Sequence, residues 1–204
     1  MALASNAAAV GYNANASGLQ STAVGNGAQA LGAQSTALGV ATKVASSASG
    51  STAIGYGATA SLPNQMVFGT ADTTYTAPGM NSDLSRARQN GLLGVVTSDD
   101  YGNLASDNGA LYREVARVKS ETAVSMALAD PILADDQRFG VKVNWGGFEG
   151  ANAVGVTASG VMGKDLITRG DRLMLSGGAG WGQSSVNDYS ERVVGGHAGM
   201  QFAW

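Results

Sequence analysis

A small residue, an apolar residue and a glycine recur in fixed order along the start of this chain: Ala9-Val10-Gly11, Ala23-Val24-Gly25, Ala37-Leu38-Gly39, Ala53-Ile54-Gly55 and Val67-Phe68-Gly69. The interval is 14 residues except once, where it is 16, and the two extra residues place a longer loop within residues 40–50. The flanks keep the same register: Ser21-Thr22, Ser35-Thr36 and Ser51-Thr52 precede the motif, and Ala14/Ala16, Ala28/Ala30 and Ala58/Ala60 follow its glycine. A flexible Ala/Gly/Ser linker has no reason to hold a register. A short period with one aliphatic, flanking alanines and a glycine turn predicts a β-solenoid, in which each coil covers its neighbour's core. The expectation is that the aliphatic residue is the buried one. The alanines then form a second, flat face against which neighbouring chains pack, so a bundle of solenoids is expected rather than a free one.

The other end of the chain has a different period. Segments 138–149, 151–163, 172–183 and 192–204 are each long enough to cross a bilayer as a tilted strand of about 9–11 residues. Phe139, Val141, Val143 and Trp145 alternate with Gly140, Lys142, Asn144 and Gly146; Leu173, Leu175 and Trp181 oppose Met174, Ser176, Gly178 and Gly180; Val194, Ala198, Met200, Phe202 and Trp204 oppose Gly195, His197 and Gln201. This is the apolar-out, small-or-polar-in pattern of a membrane β-barrel. A soluble antiparallel sheet alternates too, but nothing in the chain remains to cover the apolar face, and Phe202-Ala203-Trp204 puts aromatics at a strand end. The lipid-facing set is therefore Val141, Val143, Leu173, Leu175, Met200, Phe202 and Trp204. Gly155, Ser176 and Gly178 face the lumen.

Four strands cannot close a barrel, and an open edge in lipid leaves backbone groups unpaired. Two copies would give a small, filled barrel and three a wider one. Glycines at 140, 146, 155, 178, 180, 195 and 199 leave space inside for helices, which favours three.

Between these ends, residues 71–106 read as a connector. Asn81-Ser82-Asp83 caps a short helix reaching Gln89, with Gly91 as its stop, and segments 92–97 and 103–105 form a hairpin around Asp99-Asp100-Tyr101-Gly102. Residues 107–131 read as a helix capped by Ser106 or Asp107 and ended by Pro131. Leu111, Val115, Val118, Thr122, Ser125 and Ala129 keep the spacing of a coiled-coil seam that shrinks toward its C-terminal end.

Composition excludes several function classes. A net charge of −3 and the absence of cysteine give no basic footprint for nucleic acid, no disulfide and no thiolate metal site. No apolar run is long enough for a transmembrane helix. Residues 1–5 lack the basic start and apolar core of an export signal, which is expected upstream. The single His197 has no catalytic partner in the sequence and reads as a hydrogen-bonded lumen residue. Asp99-Asp100 and Asp135-Asp136 read as solvated turns, Gly177–182 lacks the helix of a phosphate loop, and Asn15-Ala16-Ser17 is a chance sequon. No catalytic, metal or cofactor site is expected.

The repeats, above all Ser21-Thr22-Ala23-Val24-Gly25 and Ser51-Thr52-Ala53-Ile54-Gly55, resemble the heads of YadA-like trimeric autotransporter adhesins. Gly146-Gly147-Phe148-Glu149-Gly150, residues 151–155 and residues 199–204 are similar to the membrane anchor of that family. The resemblance implies a mainly β homotrimer: a left-handed parallel β-roll head over 1–70, a neck, a coiled-coil helix, and a barrel of twelve strands from three chains over 132–204. It also implies a surface adhesin in the outer membrane of a Gram-negative bacterium, inserted by barrel-assembly machinery. Such a protein exports its own head and binds extracellular matrix or a cell-surface ligand. The competing reading is a soluble trimeric fibre or phage tail tip with a β-roll.

Overall fold

The computed structural model describes residues 1–203, so Trp204 lies outside the described residues. The chain divides into two compact units, Met1–Met80 and Asn81–Trp204.

The first unit is a coil of nine short parallel strands in two sheets. Strands β1 (Ala8–Val10), β3 (Thr22–Val24), β5 (Thr36–Leu38), β7 (Thr52–Ile54) and β9 (Met66–Phe68) form one sheet. Strands β2 (Asn15–Ala16), β4 (Gln29–Ala30), β6 (Lys43–Val44) and β8 (Thr59–Ala60) form the other. The pairing stacks each repeat on the next, Ala9 on Ala23, Ala23 on Ala37, Ala37 on Ala53 and Ala53 on Val67. The longer interval falls after β6, where Ala48 fills the interior and the backbone carbonyls of Ala45 and Ala48 close over Gly32.

The interior corrects one expectation. Ala23, Ala37 and Ala53 are fully buried with Ala16, Ala30, Ala60 and Val44, whereas the aliphatic of each repeat points outward, Val10 at 61% and Phe68 at 50% exposure. The reason is size: a coil with three-residue and two-residue sides has room for methyl groups and little more. Its buried hydroxyls are mostly paired, Ser35 Oγ donating to Gly32 O at 2.6 Å and Thr42 Oγ1 to Gly55 O at 2.9 Å.

The second unit opens with a short helix, α1 (Asp83–Ala87), capped by Ser82, whose hydroxyl accepts from Ser85 N at 3.1 Å. It stops at Ala87, short of Gln89. A hairpin follows, β10 (Val96–Ser98) with β11 (Leu104–Ser106), whose turn is held by the Asp99 carboxylate accepting from Tyr101 N and Asn103 N, each at 2.9 Å. Helix α2 (Ala110–Ala127) comes next. Its start is satisfied from two residues upstream of Gly109: the Asp107 carboxylate accepts from Gly109 N at 2.8 Å and Leu111 N at 3.0 Å, and also from Val95 N at 2.7 Å. It ends at Ala127, before Pro131 requires it to.

Four long antiparallel strands complete the unit in simple order: β12 (Phe139–Phe148), β13 (Ala151–Lys164), β14 (Arg172–Val186) and β15 (Tyr189–Ala203). The sequence places a gap over 184–191. Instead β14 and β15 run on through Ser184–Glu191 and Val186–Tyr189 pairs, and Asn187-Asp188 turns the chain with φ of 47° and 66°. Two positive φ angles suit the twist of a two-residue hairpin, and Asn and Asp tolerate them.

Candidate functional site

The four-stranded sheet has one face covered by α2 and one face open. The cover works through size. A Cβ on Gly146 would lie 2.1 Å from Ala123 O, and one on Gly155 2.3 Å from Ala127 O, so the helix backbone rests where those side chains are missing. The helix meets them with its own small residues, Ala116, Ser120, Ala123 and Ala127, all fully buried. Gly180 and Gly182 make the same allowance for Val124. This small-residue face is distinct from the seam expected from the sequence. Leu111, Val115 and Val118 of that seam remain exposed, as does Met126. The helix therefore has two apolar faces and uses one on its own sheet.

Both ends of α2 are tied down. At the first turn Tyr112 stacks on Tyr189, ring centroids 6.0 Å apart, and the Arg113 guanidinium sits 5.4 Å from the same ring. Lys119 pairs with Glu149 at 3.3 Å. Past the last turn, Asn144 Nδ2 and Thr157 Oγ1 both donate to Ala129 O at 2.9 Å. The Asp130 carboxylate receives Ser176 and, at 2.8 Å, His197 Nε2.

The open face carries apolar side chains. Val141, Val143, Leu175 and Met200 lie on it exposed, and Leu173 and Phe202 lie on it half-buried. The register arranges these residues in rows. Trp145, Val154, Trp181 and Val194 form one row, and Phe139, Gly160, Leu175 and Met200 another, with Leu173 beside Phe202 beyond it. Between the rows run Val143, Val156, Ala179 and Gly196, and then Val141, Ala158, Gly177 and Ala198, with no charged residue. Leu173 and Trp181 are eight residues apart along β14, roughly 27 Å at the antiparallel rise. A strand tilt of about 40° reduces that to about 20 Å, comparable with the apolar band of roughly 25 Å on membrane barrels. Gly155, Ser176 and Gly178 lie on the opposite, helix-bearing face.

At the far end of the strands, residues 165–171 fold round Asp171, whose carboxylate accepts from Leu166 N, Ile167 N and Thr168 N at 2.6 to 2.7 Å. Burial pushes the Asp171 carboxyl up, but these backbone N–H groups outweigh it and hold its pKa below the ordinary value. Among the described residues, no group of three His, Cys, Asp or Glu could hold a metal ion. No described helix is long and apolar enough to cross a membrane, which says nothing of strands.

In the first unit the outward residues stack into a stripe, Val10, Val24, Leu38, Ile54 and Phe68, because the strands they sit on pair in register. The YadA head domain repeat family matches residues 2–28, 16–42 and 46–64. Residues 2–42 and 46–64 of the N-terminal unit are YadA head repeats. The matched segments skip residues 43–45, beside the longer interval, where the YadA head pattern is stretched. YadA heads belong to adhesin-type proteins, and this identification covers the repeats alone. No curated protein matches the chain.

The sequence missed the small-residue face of α2 and the grip on Ala129-Asp130. The first had a signal, since Ala116, Ser120, Ala123 and Ala127 keep a 4-3-4 spacing. The second had none, because its donors come from four different strands.

Proposed function

We propose that this chain is the head, neck and membrane anchor of a trimeric autotransporter adhesin, held in the outer membrane of a Gram-negative bacterium and displaying its YadA head repeats at the cell surface. The observation that carries the reading is the open face of the C-terminal sheet, an apolar band between two rows containing aromatic residues. Water is a poor solvent for such a face, and a bilayer is a good one.

The edges support three copies. Strands β12 and β15 are the edges of the sheet among the described residues, and in lipid the backbone groups of a sheet edge need partners. Three copies give twelve strands and bring three α2 helices together inside, where Leu111, Val115 and Val118 can meet. The head stripe fits the same assembly. Burying an aliphatic or phenyl side chain contributes about 1.5–3 kcal/mol, against roughly 0.8 for an alanine methyl, so much of the head's hydrophobic energy is realised only between chains. Insertion by barrel-assembly machinery, export of the head through its own barrel and attachment to matrix or cell-surface ligands belong to the same proposal, which the resemblance to YadA-like adhesins supports.

The test is extraction and mass. The chain, expressed behind an export signal, should leave membranes only with detergent and appear by native mass spectrometry as a trimer. Recovery without detergent as a trimer would support a soluble fibre instead. A monomer or dimer in detergent would overturn the twelve-stranded barrel.

A further inference from the structure

Helix α2 stops at Ala127, although Pro131 would allow it to continue to Ala129. What replaces the next turn is a set of contacts to the sheet, one from each strand. Asn144 of β12 and Thr157 of β13 donate to Ala129 O, while Ser176 of β14 and His197 of β15 hold Asp130. Because a carboxylate only accepts, His197 Nε2 carries the proton in this bond. The register spreads the four side chains over three neighbouring rows of that face, with Asn144 and Ser176 on opposite sides of the middle one. Thr157 pairs through Gly178 with His197, and Asn144 and Ser176 are each two residues from that row. Around them the same face is largely glycine, at 140, 146, 155, 178, 180, 195 and 199. Polar side chains are thus concentrated at the level where the helix ends.

We propose that Asn144, Thr157, Ser176 and His197 form a stop that fixes how far α2 extends along the sheet and, in the closed barrel, keeps the pore shut around the linker. The grip exists within one chain. Only the pore closure rests on the barrel reading. A glycine-lined face with close small-residue packing offers a helix little to resist sliding. Donors placed on Ala129 O and on the half-exposed Asp130 carboxylate give one position a preference over its neighbours, since a one-turn slip exchanges these aimed hydrogen bonds, two of them to a charged group, for water. The stack of Tyr112 on Tyr189 anchors the opposite end independently.

The experiment compares Asp130→Leu, Thr157→Val and Asp130→Asn in the full chain in detergent. Amide exchange is followed by mass spectrometry for residues 123–131 and, as reference, 110–116. Asp130→Leu should speed exchange over 123–131 by roughly 10-fold or more, the effect of losing hydrogen bonds to a charged group, with 110–116 unchanged. Thr157→Val should give a smaller rise, and Asp130→Asn should restore most of the protection through its side-chain carbonyl. In planar bilayers, trimers of Asp130→Leu should conduct in bursts where the parent is silent. Unchanged exchange over 123–131, or an equal rise at both ends, overturns the stop. Faster exchange over 123–131 with silent trimers keeps the stop and removes its role in pore closure. If the parent forms no trimer, the barrel reading fails while the exchange comparison still decides the grip.

Discussion

Ala41 occupies a corner of the head that its counterparts fill with Asn13, Gly27 and Gly57, all four at positive φ. At 55°, Ala41 has a Cβ too close to the backbone, a strain of roughly 1–2 kcal/mol from which glycine is free. Part of that gain is offset by the greater freedom of glycine in the unfolded chain. Ala41→Gly should therefore raise head stability by about 0.5–1 kcal/mol, read as a higher midpoint in thermal unfolding of the intact chain. Gly25 has the opposite constraint. A Cβ there would sit 2.2 Å from Gly39 O in the next coil, at a φ of 135° that side chains rarely adopt. Gly25→Ala should lose about 3 kcal/mol or more in the same measurement, and an unchanged midpoint would mean that the coils are not stacked in this register. The repeat was legible because spacing alone fixes which residues stack. Which of Ala23 and Val24 is inside was not, because alternation gives two faces without naming them, and the thinness of the coil decides in favour of alanine.

At the scale of elements, α2 depends on a residue outside it. The Leu111 N–H holds the Asp107 carboxyl below its ordinary pKa; partial burial opposes this, and the N–H groups of Val95 and Gly109 add to the lowering. A carboxylate with a lowered folded pKa stabilises the fold fully above its unfolded pKa. That contribution disappears as pH falls from the ordinary carboxylate range through the folded value. Helix content over 107–118 should accordingly fall on acidification, followed by amide exchange, and Asp107→Asn should weaken that pH dependence. Equal acid sensitivity in both proteins would assign the cap elsewhere. The helix itself was legible from its seam, and its start from Asp107. Its early end was not, since Asn144, Thr157, Ser176 and His197 are distant in sequence and meet Ala129-Asp130 only through the sheet. The β14–β15 hairpin was obscured for another reason: Ser184, Ser185, Ser190 and Glu191 resemble a loop, although strand pairing continues through them.

For the whole molecule, the decisive question is which solvent meets the open face, and charge placed at different heights answers it. Val143 lies in a middle row with Val156, Ala179 and Gly196, whereas Gln183 lies on the same face beyond the Trp145–Trp181 row and pairs with Arg192. In a bilayer an arginine near the midplane costs about 2–4 kcal/mol, and one near the interface about 0–1. Val143→Arg should therefore reduce the detergent-extracted trimer and its resistance to denaturant, Gln183→Arg should leave both nearly unchanged, and Leu175→Arg, from an outer row, should fall between. In water the order has no reason to exist, because Val143 is already 68% exposed and an exposed arginine is well solvated. If the open face instead packs against other protein, the loss should follow the geometry of that contact rather than height along the strand. Measuring assembled trimer for the three variants in one host separates these cases: a depth gradient favours lipid, equal tolerance favours water, and a loss at Gln183 as large as at Val143 favours a protein partner.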